Sequence, residues 1–390
     1  MQSEFSLEKF RPLYHRAQEE LLKNLGMVQG CTKTPVLMEC ATWYRGIWLE
    51  DGPHESLTLA KDFPEIAKMS HRIFYIHQKE NGQFPAAVKQ DAIGYRQIQQ
   101  VVPIAATALE LARMTGDEAF LAESFAACAK WEAFLVRSRD PRHLDLLEVW
   151  CEFDTGHDCS PRFQNEPRNC PDGADVFPQN GRRRLAPDLS ANLYSSRLAL
   201  AEMAELLGKK DLMEQYRLAA ERTKKNIFKY CFDPKKRFFY DCFEDGSLSN
   251  LTGDAGLRVL GEHVPDRELG REIFQKHVLN TEEFWTPYPL PSIAVNDPLY
   301  IHPAPENSWG GASQSLQALR SLRYFEYYGF NSELEKLMKC YLEAVEHAGE
   351  FMQQMDPFTG EFSTAPGYSP AMCAVIGFFE KLENGTQPDH

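Results

Sequence analysis

The sequence predicts an all-α fold: helical hairpins wound as an inner and an outer ring, an (α/α) barrel or toroid, with long functional loops on one face. Three observations predict it. Apolar residues recur at three- and four-residue spacing along most of the chain, the period of a helix with one buried face. Three segments repeat a helix–glycine–helix pattern: ALELARMTG followed by DEAFLAESFAACAKWEAFL, ALAEMAELLG followed by KKDLMEQYRLAAERTKKNIF, and ALRSLRYFEYYG followed by FNSELEKLMKCYLEAVEHA. Two irregular connections, 151–187 and 281–309, are far longer than ordinary loops, and their aromatic content points to order and function. The hairpins are spaced too unevenly for an open solenoid of a standard short repeat. No shift in composition marks a boundary, so residues 1–390 read as a single domain.

Taken in order, the helical periodicity covers 56–78, 99–115, 117–138, 188–207, 210–231, 311–328, 331–354 and 370–383. Gly116, Gly208 and Gly329 stand where a left-handed residue ends the first helix of each hairpin. Asp117 and Asn331 are placed to cap the second. Strand-like alternation is confined to short pieces such as 236–242.

The composition excludes several function classes. With 43% hydrophobic and 25% charged residues the chain is ordinary globular material, long enough to bury a large core. A net charge of −14 argues against nucleic acid or an anionic membrane as partner, because both select basic surfaces. The first 26 residues hold no apolar signal core, and no stretch approaches eighteen apolar residues, so a cytoplasmic protein acting on a small molecule is expected. The ten cysteines are scattered without a C-x-x-C and read as reduced thiols. The Asn384 sequon would matter only in a secreted protein. Oligomeric state leaves no signal.

The stretch most suited to chemistry is 148–163, EVWCEFDTGHDCSPRF, which gathers Glu148, Glu152, Asp154, His157 and Asp158 between Val149, Trp150, Phe153 and Phe163. A carboxyl among apolar groups holds its proton to higher pH and can serve as an acid. The same residues also describe a loop in which Asp158 caps backbone amides.

The run D-T-G-H-D-C-S-P-R-F resembles the E-S-G-x-D-N-S-P-R-W signature of trehalases and of the processing-glucosidase and mannosylglycerate-hydrolase group. The resemblance implies an (α/α)6 barrel and inverting hydrolysis of a small α-linked glucoside or mannoside, with Asp158 as general acid. Asp154 replaces the signature's Glu and Phe163 its Trp. Further runs agree in order: W-L-E-D-G-P from Trp48, E-N-G-Q-F-P from Glu80, D-L-S-A-N-L-Y from Asp188, S-W-G-G from Ser308, D-P-F-T-G-E from Asp356 and P-G-Y-S from Pro366. On this resemblance Trp48, Asp51, Asp154, Arg162, Asp188, Asn192 and Trp309 bind substrate, and no metal or organic cofactor is implied. Gly310 stands where the group has an Arg.

One departure is chemical. In this group the base is a Glu four residues before the Pro of D-P-x-T-G, and the matching residue here is Gln353. A glutamine cannot take a proton from water, whereas an inverting hydrolase needs two carboxyls roughly 6.5–9.5 Å apart. Three explanations stay open. Glu350 or Glu361 serves as base after a local shift. The Gln is an engineered trap. Or the barrel has another use, such as acid-driven cyclisation or isomerisation of an apolar substrate, or silent sugar binding. Other candidates are weaker. Trp43, Tyr44, Trp285 and Tyr288 are placed to stack on sugars or to pin loops. His54, His157 and His302 are possible acids. Cys159, Cys170 and His157 match no common zinc spacing. Arg182, Arg183 and Arg184 form either a solvated face or a site for an anionic substrate group.

Overall fold

The computed structural model describes residues 5–385; Thr386 of the sequon and the ends of the 1–390 span lie outside them. Helices dominate: α1 (Arg11–Lys23), α2 (Gly52–Glu55), α3 (Pro64–Ile76), α4 (Ile104–Thr115), α5 (Glu118–Arg139), α6 (Pro187–Leu206), α7 (Lys210–Tyr230), α8 (Asp254–Gly261), α9 (Arg267–Ile273), α10 (Ser315–Ser321), α11 (Asn331–Ala348) and α12 (Ser369–Asn384). No helix among the described residues is long and apolar enough to cross a membrane.

Among the described residues the chain divides into two compact units, one of 5–25, 38–45 and 265–385, the other of 26–37 and 46–264. In the larger unit α6 is the inner helix: fifteen of its residues are buried, from Pro187 to Ala204, and it packs against α4, α5, α7 and α8. Its hairpin partner α7 buries only Ala219, Ala220, Thr223 and Ile227, so it has a single apolar stripe and an outer position. In the smaller unit α12 plays the inner part, with ten buried residues between Ser369 and Phe379, packed against α1, α10 and α11. Short antiparallel ladders stitch the loops; the one formed by Ser313–Gln314, Gln354–Met355 and Phe362–Ser363 matters below.

Gly116, Gly208 and Gly329 are left-handed, and Asp117 accepts from the Phe120 amide as an N-cap. Asn331 is instead the first helical residue of α11, and Phe330 holds the cap position. Prolines set two of the starts that periodicity blurred. The 56–78 stretch is a 3₁₀ turn at Ser56–Leu59 and then α3 from Pro64, because proline lacks the amide a preceding turn would need. Likewise α4 begins after Pro103. The 311–328 stretch is helical only over α10, and 331–354 ends at Gly349 before Gln354 joins the ladder. Helices α1, α8 and α9 lie outside the stretches marked by periodicity in the sequence.

Candidate functional site

The 151–163 segment turns sharply at Gly156, whose φ is +63°. Any Cβ there would stand 2.2–2.4 Å from the carboxylate atoms of Glu50, so only glycine lets Glu50 lie against this turn. Glu50 is itself buried and accepts from Gln99 Nε2 at 2.9 Å. The turn thus has one wall made by the W-L-E-D run. Asp158 follows two residues later and is half-buried. The next residue, Cys159, is exposed with φ +54°, and its amide donates to Glu152 Oε1.

Behind this turn lies a chain of buried charges. Arg162 forks onto both oxygens of Asp188, at 2.7 and 2.9 Å, and onto both of Asp241, at 2.9 and 2.6 Å. Arg184 pairs with Asp241 and, bidentately, with Glu166. Arg258 donates to Asp254 Oδ2 and to the Thr155 carbonyl, each at 2.6 Å. His157 places Nε2 3.2 Å from Asp254 and Nδ1 3.1 Å from Arg162 Nη1. An Nε2–H tautomer fits both contacts, donating to the carboxylate and accepting from the guanidinium. Burial, then the neighbouring Arg258, pushes His157 down to about 3, so the ring is neutral. For Asp188, burial alone would raise the pKa, but Arg162 overrides it and holds the carboxyl at about 2.

A second buried pair holds the start of the segment. Arg139 and Asp154, both fully buried, form an ion pair, and the Ile98 and Trp150 amides donate to the same carboxylate. The Arg139 guanidinium lies 4.0 Å from the Trp150 ring centroid. Among the expected binding residues, then, the structure joins Arg162 directly to Asp188 and gives Asp154 a full set of protein partners. Asn192, fully buried on α6, donates to the Gln100 carbonyl. Asp51 is buried at the start of α2, and Trp48 is half-buried under Lys89. His54 is half-buried.

The basic run is not one solvated face. Arg184 is buried in ion pairs, Arg183 pairs with buried Glu148 at 2.7 Å, and only Arg182 is exposed, lying over Phe243. Cys159, Cys170 and His157 do not assemble either. Among the described residues, the donor group that converges is Cys151, Asp154 and Cys170. Arg139 beside it opposes a cation.

In the smaller unit Gln353 is buried and held at both ends of its amide. Nε2 donates to Asn307 Oδ1 at 2.9 Å, and Tyr44 Oη donates to Gln353 Oε1 at 3.4 Å. Its backbone is bonded to Thr364 and Ser315. Glu350 and Glu361 are both exposed. The D-P-F-T-G turn is built locally: Asp356 Oδ1 accepts from the Phe358 and Thr359 amides, and Oδ2 pairs with His302 at 2.7 Å. Gly360, at φ +74°, clears the Tyr288 ring, which would lie 2.4 Å from a Cβ. Tyr288 and half-buried Trp285, packed on Phe325, therefore pin loops, while Trp43 is exposed. Trp309 is buried with Arg320 over its ring.

Sequence reasoning missed Glu50, Asp241, Asp254, Arg258, Tyr44's link to Gln353, and Asn307. Asp254 and Arg258 left a trace as an acid and a base four residues apart on a short helix, and Glu50 stands within the W-L-E-D-G-P run.

Comparison with known proteins agrees with this architecture. Residues 44–369 match the model of the mannosylglycerate hydrolase MGH1-like glycoside hydrolase domain. A GH63 mannosylglycerate hydrolase from Thermus thermophilus, solved with Tris and D-glycerate, superposes with a TM-score of 0.78 at 18% identity, covering 95% of this chain and 100% of that one. An uncharacterized conserved protein from the same organism gives 0.79 at 18% identity with the same coverage. The neutral trehalase of Saccharomyces cerevisiae gives 0.71 at 13% identity, covering 93% of this chain and 79% of that one. The 326-residue match places the chain in a family: it belongs to the mannosylglycerate hydrolase MGH1-like glycoside hydrolase domains.

Proposed function

We propose that the chain is a single (α/α)6 barrel that acts on a small α-linked glucoside or mannoside by the inverting route, with Asp158 as general acid. The observation that carries this is the turn at Gly156: a half-buried carboxyl, presented from a segment clamped by buried ion pairs, inside a glycoside hydrolase family domain. Asp158 donates its proton to the leaving oxygen as the glycosidic bond breaks and charge spreads into an oxocarbenium-like sugar. Trp48 and Asp51 are proposed to meet the sugar. Arg162, Asp188 and Asp154 act on the fold of the acid segment rather than on the ligand.

Gln353 occupies the motif position of the base. Its amide oxygen can accept a hydrogen bond from the attacking water and orient it, as glutamine does for water in phosphoryl transfer, but it cannot hold the proton. Glu350 and Glu361 are exposed, whereas Gln353 is buried. Orientation without proton acceptance makes hydrolysis slow. It also supports a second reading, in which the Asp158 proton drives a non-hydrolytic rearrangement.

The position is ready for a carboxylate. Tyr44 already donates to one oxygen, and a flipped Asn307 amide would donate to the other. The test is a pair of variants assayed on mannosylglycerate and trehalose. Gln353→Glu should raise hydrolysis by about 10²-fold or more, and Asp158→Asn should lower it by about 10²–10⁴-fold. If Gln353→Glu produces no hydrolysis of either sugar while Asp158→Asn still blocks the natural conversion, the second reading replaces the first.

A further inference from the structure

The proposed acid must be held still, and the contacts around Gly156 show what holds it. On α8, Asp254 and Arg258 stand one turn apart, both buried, and reach the two residues flanking the glycine. Arg258 Nη1 donates to the Thr155 carbonyl at 2.6 Å, and Asp254 Oδ2 accepts from His157 Nε2 at 3.2 Å. Arg258 Nε also donates to Asp254 Oδ2 at 2.6 Å, so the pair is locked to itself as well as to the turn. Thr155 Oγ1 lies 2.9 Å from His157 Nδ1, which closes the ring of contacts across the glycine. Glu50 bears on the same glycine. Gly156 is left-handed and has no side chain of its own to fix it, so the direction in which Asp158 leaves the turn depends on these external contacts.

We propose that Asp254 and Arg258 are positioning residues: α8 grips both flanks of Gly156 and thereby aims Asp158 at the leaving-group oxygen. The inference rests on Asp158 being the acid. It assigns a role in the reaction to two residues that lie about a hundred positions further along the chain, outside Asp158's motif. No bond is made or broken by the pair. Its effect is on the geometry of one proton transfer, where a misplacement of about 1 Å can cost on the order of 10²-fold in rate.

The test separates aiming from general stability. Asp254→Asn keeps an acceptor for His157 but drops the ion pair. Arg258→Lys keeps the charge but not the two-ended reach to Asp254 and Thr155. Each full-length variant is assayed on α-mannosyl-D-glycerate, whose leaving alkoxide needs a proton, and on α-mannosyl fluoride, whose leaving group does not. Amide hydrogen exchange is followed in parallel. The expected result is a kcat loss on the order of 10²-fold on the glycerate substrate, less than about threefold on the fluoride and unchanged KM. Amides 155–159 should exchange faster while α6 and α7 stay protected. Equal losses on both substrates, or a turn that exchanges as slowly as in the parent, overturns the proposal. The exchange arm decides this even if neither sugar is turned over. Asp158→Asn serves as the control: near-parental rates on the glycerate substrate would sink the acid reading itself, leaving the exchange result to judge the clamp alone.

Discussion

The segment that carries Asp158 and the segment that carries Gln353 are held in opposite ways. Around 154–163 the partners are ions: Arg139 with Asp154, Arg162 between Asp188 and Asp241, and Arg258 with Asp254, all buried. Around Gln353 the partners are a neutral amide and a phenol, at 2.9 and 3.4 Å. Buried ions resist loss of a partner strongly, because the remaining charge is stranded in a poor solvent. A neutral hydrogen bond contributes only about 1 kcal/mol net. The segment that carries Asp158 is therefore costly to change, whereas Gln353 can be exchanged at low cost. That difference gives a physical route by which position 353 holds glutamine while the D-x-S-P-R run stays intact.

The largest effect that could break this contrast is Arg162→Met. It should destabilise the chain by about 3–5 kcal/mol, since two buried carboxylates lose their common cation. Asn307→Ala should lose about 1 kcal/mol. Urea unfolding of both variants measures the ratio, and equal losses would abolish the distinction.

Acid should sharpen it next. His157 and His71, which burial drives down to about 4, both bind protons in the unfolded chain near pH 6.5 but not in the native one until far lower. Their contribution to stability is complete above pH 6.5. It is lost as pH falls through the window from 6.5 to about 4 for His71 and about 3 for His157. Within that window each costs about 1.4 kcal/mol per pH unit. Asp188, held at about 2, adds a further loss below pH 3.8. His157→Gln should make the dependence on pH between 6 and 4 shallower by one proton; an unchanged slope would show that His157 is charged in the native chain.

The smallest effect concerns Cys159, a non-glycine residue at φ +54°. The related signature has Asn here, a residue that tolerates this conformation. Cys159→Asn should raise stability by about 0.5–1 kcal/mol with Asp158 undisturbed. A fall in the thermal midpoint would mean that the Cys159 side chain makes compensating contacts.

How much of this was legible in the sequence follows from the range of the interactions. The long helices, the glycines that end α4 and α6 and the Asp117 cap depend on neighbours a few residues away, and the residue pattern shows them. The 311–328 stretch misled for the same reason: its periodicity is helical, but ladder pairing with Gln354 and Met355 claims Ser313 and Gln314. The resemblance of short motifs picked out Asp158 and Gln353 and assigned Arg162 and Asp188 to the sugar, but it held no sign that those two pair with each other.

What the sequence by itself determined is the helical content, the stops and caps, and which residues, Asp158 and Gln353, stand at two positions of the resembled motifs. Tertiary structure alone decided who holds them. Asp241 lies 79 positions from Arg162, Asp254 lies 97 from His157, Thr155 lies 103 from Arg258, and Asn307 lies 46 from Gln353. No local periodicity links such pairs, because a buried charge takes whichever opposite charge folding brings within reach, and that choice is made only when the helices pack.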